Sequence, residues 1–215
     1  MTTVSSDSNL VVFSDDSIIV LNKPAELLSV PGLGADKQDC LASRVQAIFD
    51  DALIVHRLDM STSGLIVMAR GKDVHRQMSK QFRDRQVKKR YVAVVDGLID
   101  KESGVIELPI ITDWPNRPRQ MMDHETGKAS TTNYQVITRD EKNSTTRVEL
   151  EPVTGRTHQL RVHMMSIGYP ILGDRLYANE VIQAKSSRLL LHAVLLEFPH
   201  PVNGELMNFN SDIPF

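Results

Sequence analysis

Asp59 lies in the stretch HRLDMSTSGL, residues 56–65, directly before the apolar run Leu65, Ile66, Val67 and Met68. A carboxylate at the mouth of a buried strand is costly unless it is paired or solvated in a cleft, and an ionised one held there can act as a nucleophile. The same residues also fit a plain turn, in which Asp59, Ser61, Thr62 and Ser63 cap backbone amides and Gly64 eases the bend. That turn leaves a second polar knot unexplained, TGRTHQLRVH at 154–163. Arg161 in it is the right kind of counter-ion for a carboxylate in a cleft, the alternative being a solvated helix residue. His158 and His163 are five apart, not the four that align two ligands on one helical face, so no metal is expected.

A third group is basic. Residues 70–90 hold Arg70, Lys72, Arg76, Lys80, Arg83, Arg85, Lys88, Lys89 and Arg90 against Asp73 and Asp84, a local balance of +7 in a chain of net charge -2. A solvated helix face explains part of it. The remainder runs into KKRY at 88–91, where Tyr91 joins three cations, a composition suited to phosphate beside a ring. DWPNRPRQ at 113–120 adds the single Trp114 with Arg117 and Arg119, in a segment too interrupted by proline for a central strand. An exposed loop of that make-up offers indole and guanidinium planes to unpaired bases, whereas a packed Trp in a rigid turn is the structural alternative.

The elements that must position these residues are mostly strands. Residues 17–22, 64–69, 91–97, 130–138, 145–153 and 189–198 are rich in apolar or β-branched side chains, and 145–153 alternates as a half-wet sheet does. Three helices interrupt them, with apolar faces at Leu41, Val45, Ile48 and Phe49, then Val74, Met78 and Phe82, then Leu160, Met164 and Ile167. Thr154, Gly155 and Arg156 open the third, and Gly168 ends it. Strands outnumber helices without regular alternation, which predicts an α+β fold with a mixed, mainly antiparallel sheet and flanking helices.

The 215 residues, 41% of them apolar, suffice for a real core, and no apolar run is long enough to span a bilayer. The polar N-terminus lacks a secretory plan, so a cytoplasmic protein is expected. Cys40 has no partner for a disulfide and reads as a core or half-buried thiol. No apolar stripe is left over once the core is assigned, which predicts a monomer.

Together these segments resemble the RluA-type family of pseudouridine synthases. HRLDMSTSGLIV resembles its catalytic motif, KKRY its Lys-x-Tyr motif and GRTHQLRVH its third block. RLLLHA at 188–193 is similar to its late strand, and LNKPAELLSVPG at 21–32 to its opening block, except that Glu26 stands where the family usually has Gly. The resemblance implies one catalytic domain over 1–215 without an S4-type RNA-binding domain, a central RNA-binding cleft, and isomerisation of uridine to pseudouridine without a cofactor. It implies Asp59 as the catalytic carboxylate, Arg161 as its salt-bridge partner, and Tyr91 as the residue packing on the target base. Arg57 would fill the stack left by the flipped nucleotide. His56, Thr62, Lys88, Lys89, Arg90, Trp114, Arg117, Arg119, Arg156 and His158 are expected to contact RNA. Residues 108–130 are similar to the dual-specificity members, which modify 23S rRNA and a tRNA anticodon stem-loop. Rival readings are a member with another RNA target, an RNA-binding protein without chemistry, and a hydrolase using Asp59 with His56 or His158.

Overall fold

The computed structural model describes residues 10–215, and these fall into two compact units. One runs to Lys88 and takes in Ala193–Asp212; the other comprises Lys89–His192 and Ile213–Phe215.

The first unit is built on a sheet with the order β1 (Val11–Ser14), β2 (Ile18–Lys23), β4 (Ser63–Arg70) and β11 (Leu191–Pro199). The short β3 (Ala52–Ile54) pairs antiparallel with the end of β4, and β12 (Leu206–Asn210) with β11. Strands β2 and β4 read as unbroken apolar runs because both their faces are covered. On one face lies α2 (Gly71–Arg83), which sets Met78, Val74 and Phe82 against Ile18, Val20, Leu65, Val67 and Phe198. The expected spacing of its apolar residues is therefore the buried face. Gly64 is no turn residue. It lies inside β4 at φ +112°, and a Cβ there would fall 2.3 Å from the carbonyl oxygen of Ala193, so the two strands meet at a distance only glycine permits.

The first helix is shorter than the apolar spacing predicts. As α1 (Leu41–Gln46) it stops before Ile48, which is exposed. Cys40 is fully buried and caps it, its Sγ accepting from the Ser43 N–H at 3.4 Å.

In the second unit the order is β5 (Lys88–Asp96), β10 (Thr145–Pro152), β9 (Thr131–Asp140) and β6 (Ser103–Glu107), with each of these three neighbouring pairs antiparallel. A separate hairpin of β7 (Ile110–Thr112) and β8 (Gln120–Met122) carries the proline-rich segment in its loop. The unit also holds α3 (Gln159–Ser166) and the one-turn α4 (Glu180–Gln183). Gly168 follows α3 at φ +90°, the left-handed cap its sequence predicts. All six strand segments read from composition are present, and the α+β class holds. No helix among the described residues is long and apolar enough to cross a membrane.

Candidate active site

The loop joining β3 to β4 carries Asp59, and three braces fix it. Ser29 Oγ donates to the Leu58 carbonyl at 2.7 Å and accepts from the Leu58 N–H at 3.1 Å, so one hydroxyl clamps both backbone groups of the preceding residue. On the other side the Thr62 N–H donates to the Asp59 carbonyl at 3.1 Å. The third brace is Lys23, whose side chain is 0% exposed. Its ammonium donates to the carbonyls of Pro24, Leu27 and Met60 at 2.8, 2.7 and 3.0 Å. A buried lysine is tolerable only with its donors so occupied. It ties the segment after β2 to the residue following Asp59. The Asp59 side chain is half-buried, and Arg57 is exposed.

Several residues expected to contact RNA also have partners within the fold. Thr62 is 2% exposed, so it braces the turn from inside. His56 accepts from the Val67 N–H at 3.1 Å and stacks on Phe82 with ring centres 4.5 Å apart, which places it in the packing of β4 against α2. Arg90 lies beside Glu149 and Glu151 on β10 at 3.3 and 3.8 Å. The basic run is likewise less free than its composition implies. Arg70 pairs with Asp51, Arg76 with Asp73, and Lys80 with Asp84, because the fold and the helix repeat bring carboxylates alongside. Lys72, Arg85 and Lys88 are exposed, and none has an ion pair among the described residues.

Glu26 adopts φ +62°, the left-handed conformation that favours glycine. The turn after Pro24 thus keeps a glycine-like backbone although this chain has Glu there.

In the second unit Tyr91 is buried on β5, opposite Leu150 of β10. Lys89 is two residues earlier; burial holds its ammonium below the ordinary lysine value of 10.5. A Cβ at Gly155 would stand 3.8 Å from Lys89 Nζ, so the KKRY strand and the TGRTH turn converge.

That turn is held from beneath rather than opening the helix, which begins only at Gln159. Buried Gln159 accepts from Thr154 Oγ1 at 2.7 Å and from the Arg156 N–H at 3.0 Å, and donates to the Thr131 carbonyl and Thr132 Oγ1. The polarity continues one way, from Thr132 Oγ1 to His163 Nδ1 at 2.9 Å and from His163 Nε2 to the Leu108 carbonyl at 3.1 Å. A carbonyl can only accept, so Nε2 carries the proton and Nδ1 takes the hydroxyl's. Burial lowers the His163 pKa and keeps the ring neutral, as this chain of bonds requires, despite the opposing Leu108 contact. Polar packing thus accounts for His163.

Residues 159–164 are all buried, so Arg161 has no wet face to occupy. Its guanidinium grips Asp174 with Nε to Oδ2 at 2.8 Å and Nη2 to Oδ1 at 2.7 Å, the pair being 4% and 0% exposed. Asp174 Oδ1 also accepts the N–H groups of Leu176 and Tyr177. His158 precedes α3 at φ +53°, with Nδ1 2.7 Å from Tyr177 Oη. Arg156 is exposed. Trp114 is 65% exposed in the hairpin loop, with Arg117 over its ring at 4.8 Å. Among the described residues no three His, Cys, Asp or Glu side chains group as metal ligands would.

Sequence reasoning missed Lys23, Ser29, Asp174 and Tyr177. The one available signal for Asp174 was Gly173, at φ +71°, where a Cβ would fall 2.0 Å from the Arg188 carbonyl oxygen.

A family model described as RNA pseudouridylate synthase matches residues 17–166. The chain is 50% identical over 206 residues to the dual-specificity RNA pseudouridine synthase RluA of Yersinia pestis, covering 96% of this chain and 100% of that one. It is 46% identical to the RluA of Haemophilus influenzae over 95% of this chain and 93% of that one. Among solved structures, human RNA pseudouridylate synthase domain containing 1 matches with a TM-score of 0.81 and 28% identity, over 100% of this chain and 87% of that chain.

Proposed function

Because the chain belongs to the RNA pseudouridylate synthase family, and so is an isomerase acting on RNA, we propose that it is a dual-target member that converts uridines both in 23S rRNA and in a tRNA anticodon stem-loop. The observation that carries this reading is identity of about half, along 96% of the chain, to relatives named as dual-specificity enzymes. The reaction breaks the N1–C1′ glycosidic bond, turns the freed uracil and forms C5–C1′. The proton on C5 leaves to water and N1 gains one, so redox state and composition are unchanged and no cofactor is required.

The roles follow residue by residue. A uridine stacked among its neighbours does not present its bond to a side chain, so it must be flipped out at a cost of about a few kcal/mol. Asp59 supplies the carboxylate, on a loop whose backbone is held by Ser29 and Lys23. Tyr91 packs on the flipped base and takes part in the proton transfer from C5. Arg161 provides the positive charge, pre-oriented by Asp174. Arg57, exposed on the Asp59 loop, fills the gap in the stack. Lys88, Lys89, Arg117, Arg119, Arg156 and His158 meet the phosphates and bases, and Trp114 offers its ring to an unpaired base. The enzyme acts in the cytoplasm as a monomer.

The test uses C5-tritiated uridine in two transcripts, an anticodon stem-loop and a 23S fragment. Tritium released to water from both, with the RNA intact, supports the dual-target reading. Release from one alone limits the enzyme to that RNA, and release from neither overturns the choice of targets.

A further inference from the structure

The Tyr177 hydroxyl connects two parts of the second unit that are distant in sequence. Its Oη accepts the backbone N–H of Gln120, the first residue of β8, at 2.8 Å, and lies 2.7 Å from His158 Nδ1 at the start of α3. Both contacts are met when Oη accepts from Gln120 and donates to Nδ1 of a neutral His158. Two guanidinium groups flank the phenol ring, Arg161 at 5.1 Å from its centre and Arg119 at 5.8 Å. The Tyr177 backbone N–H reaches Asp174 Oδ1, the oxygen that also accepts from Arg161 Nη2. One side chain thus touches the foot of the hairpin bearing Trp114, a predicted RNA-contacting arginine, and the buried Arg161–Asp174 pair.

The geometry points to Tyr177 as a positioning residue that couples seating of the 113–119 loop on RNA to the placement of Arg161. It rests on the proposed role of Arg161 and goes beyond it, since it makes the hairpin a determinant of turnover as well as of binding. The hydroxyl fixes where β8 begins, and the ring and the 174–177 turn fix the guanidinium. A loop drawn onto RNA then shifts the ring that Arg161 packs against.

Tyr177→Phe removes the hydroxyl and leaves the ring. Two quantities are read. Trp114 is the chain's single tryptophan, so its fluorescence anisotropy in the free protein reports how firmly the hairpin is held. Turnover is followed by tritium release from labelled total RNA of a strain deleted for the enzyme, so that the choice between rRNA and tRNA targets does not decide the result. The expected outcome is lower Trp114 anisotropy and a kcat reduced about tenfold with KM within about twofold, the pattern of a lost transition-state interaction. Unchanged anisotropy overturns the inference, because the hydroxyl then holds no hairpin. So does lower anisotropy with unchanged kcat, or a raised KM alone, which would make Tyr177 a support for RNA contact only. Should the variant not fold, amide exchange of Gln120 in the wild-type protein decides. An amide bonded to Oη exchanges slowly and responds to RNA, whereas fast exchange, or slow exchange indifferent to RNA, overturns the coupling. Failure of both transcripts, the anticodon stem-loop and the 23S fragment, as substrates with release from total RNA overturns the dual-target reading and leaves this inference standing.

Discussion

The Lys23 ammonium donates to the Met60 carbonyl at 3.0 Å, one residue beyond Asp59, from a position with no solvent exposure. The same nitrogen holds Pro24 and Leu27, so the opening block of the sequence acts as the underside of the Asp59 loop. Lys23→Met keeps the length and apolar bulk of the side chain but leaves these carbonyls without that donor. Bonds to a charged group contribute about 1.5–3 kcal/mol each, and the loop can recover part by taking in water, so a net loss of about 3 kcal/mol is expected. Urea unfolding reads it directly, and a midpoint equal to that of the wild type would show that the ammonium carries none of this load.

Asp59→Asn keeps the shape of the side chain and removes its charge. The bonds fixing the loop come from Ser29, Lys23 and the Thr62 N–H, and these bonds use backbone groups of the loop rather than the Asp59 carboxylate. Turnover should vanish while RNA affinity stays within about tenfold, roughly 1.4 kcal/mol. Near-normal tritium release would remove Asp59 from the chemistry.

What the sequence made legible differs between these groups for a physical reason. Asp59 and Arg161 stood out because polar side chains interrupt apolar periodicity at the end of a strand and along a helix. Strands β2 and β4 were legible because burial on both faces demands continuous apolar residues. Lys23 carries no such mark, since a lone lysine after a strand normally reads as solvated, and only the turn through Leu27 and the return at Met60 bring its acceptors together. Asp174 and Tyr177 sit in a short irregular segment without periodicity, and the two strands of the hairpin are three residues each, too short to alternate. For the basic run 70–90, sequence gives the count of cations, and only the fold reveals Asp51, Glu149 and Glu151 beside two of them.

Asp174→Asn should cost about 3–5 kcal/mol, the range for a buried ion pair that loses one partner. The amide oxygen can still accept from Leu176 and Tyr177, so the turn survives and the loss isolates the uncompensated charge of Arg161. Asp174→Asn combined with Arg161→Met should recover much of the stability but no activity. A double variant as unstable as the single one would place the effect in the turn.

Stability should fall between pH 6.5 and about 4. Burial, with the nearby charge of Arg188, lowers the His192 pKa from 6.5 to about 4, and burial lowers that of His163 as well. Both rings are neutral in the folded state while the unfolded chain takes up protons near pH 6.5. In this window the unfolded state binds more protons, so the unfolding free energy declines as pH drops, by about 3 kcal/mol for His192 once pH passes its folded value. Urea midpoints at pH 7, 6 and 5 test the slope. His192→Gln should flatten it, and an equal slope in that variant would assign the loss to other groups.

Lys88 and Arg90 share a strand and a charge but not an environment. Lys88 is exposed and has no ion pair among the described residues, whereas Arg90 lies beside Glu149 and Glu151. A cation that neutralises a phosphate releases counterions, and each such contact contributes about 0.7–0.9 to the slope of log affinity against log salt. Lys88→Ala should lower the magnitude of that slope by about 1. Arg90→Ala should leave it nearly unchanged, because its charge is already balanced on β10, and should instead loosen the packing of β5. Binding titrations from low to moderate salt separate the two. A reduced slope for Arg90→Ala, with none for Lys88→Ala, would mean that the arginine exchanges its glutamates for phosphate when RNA binds.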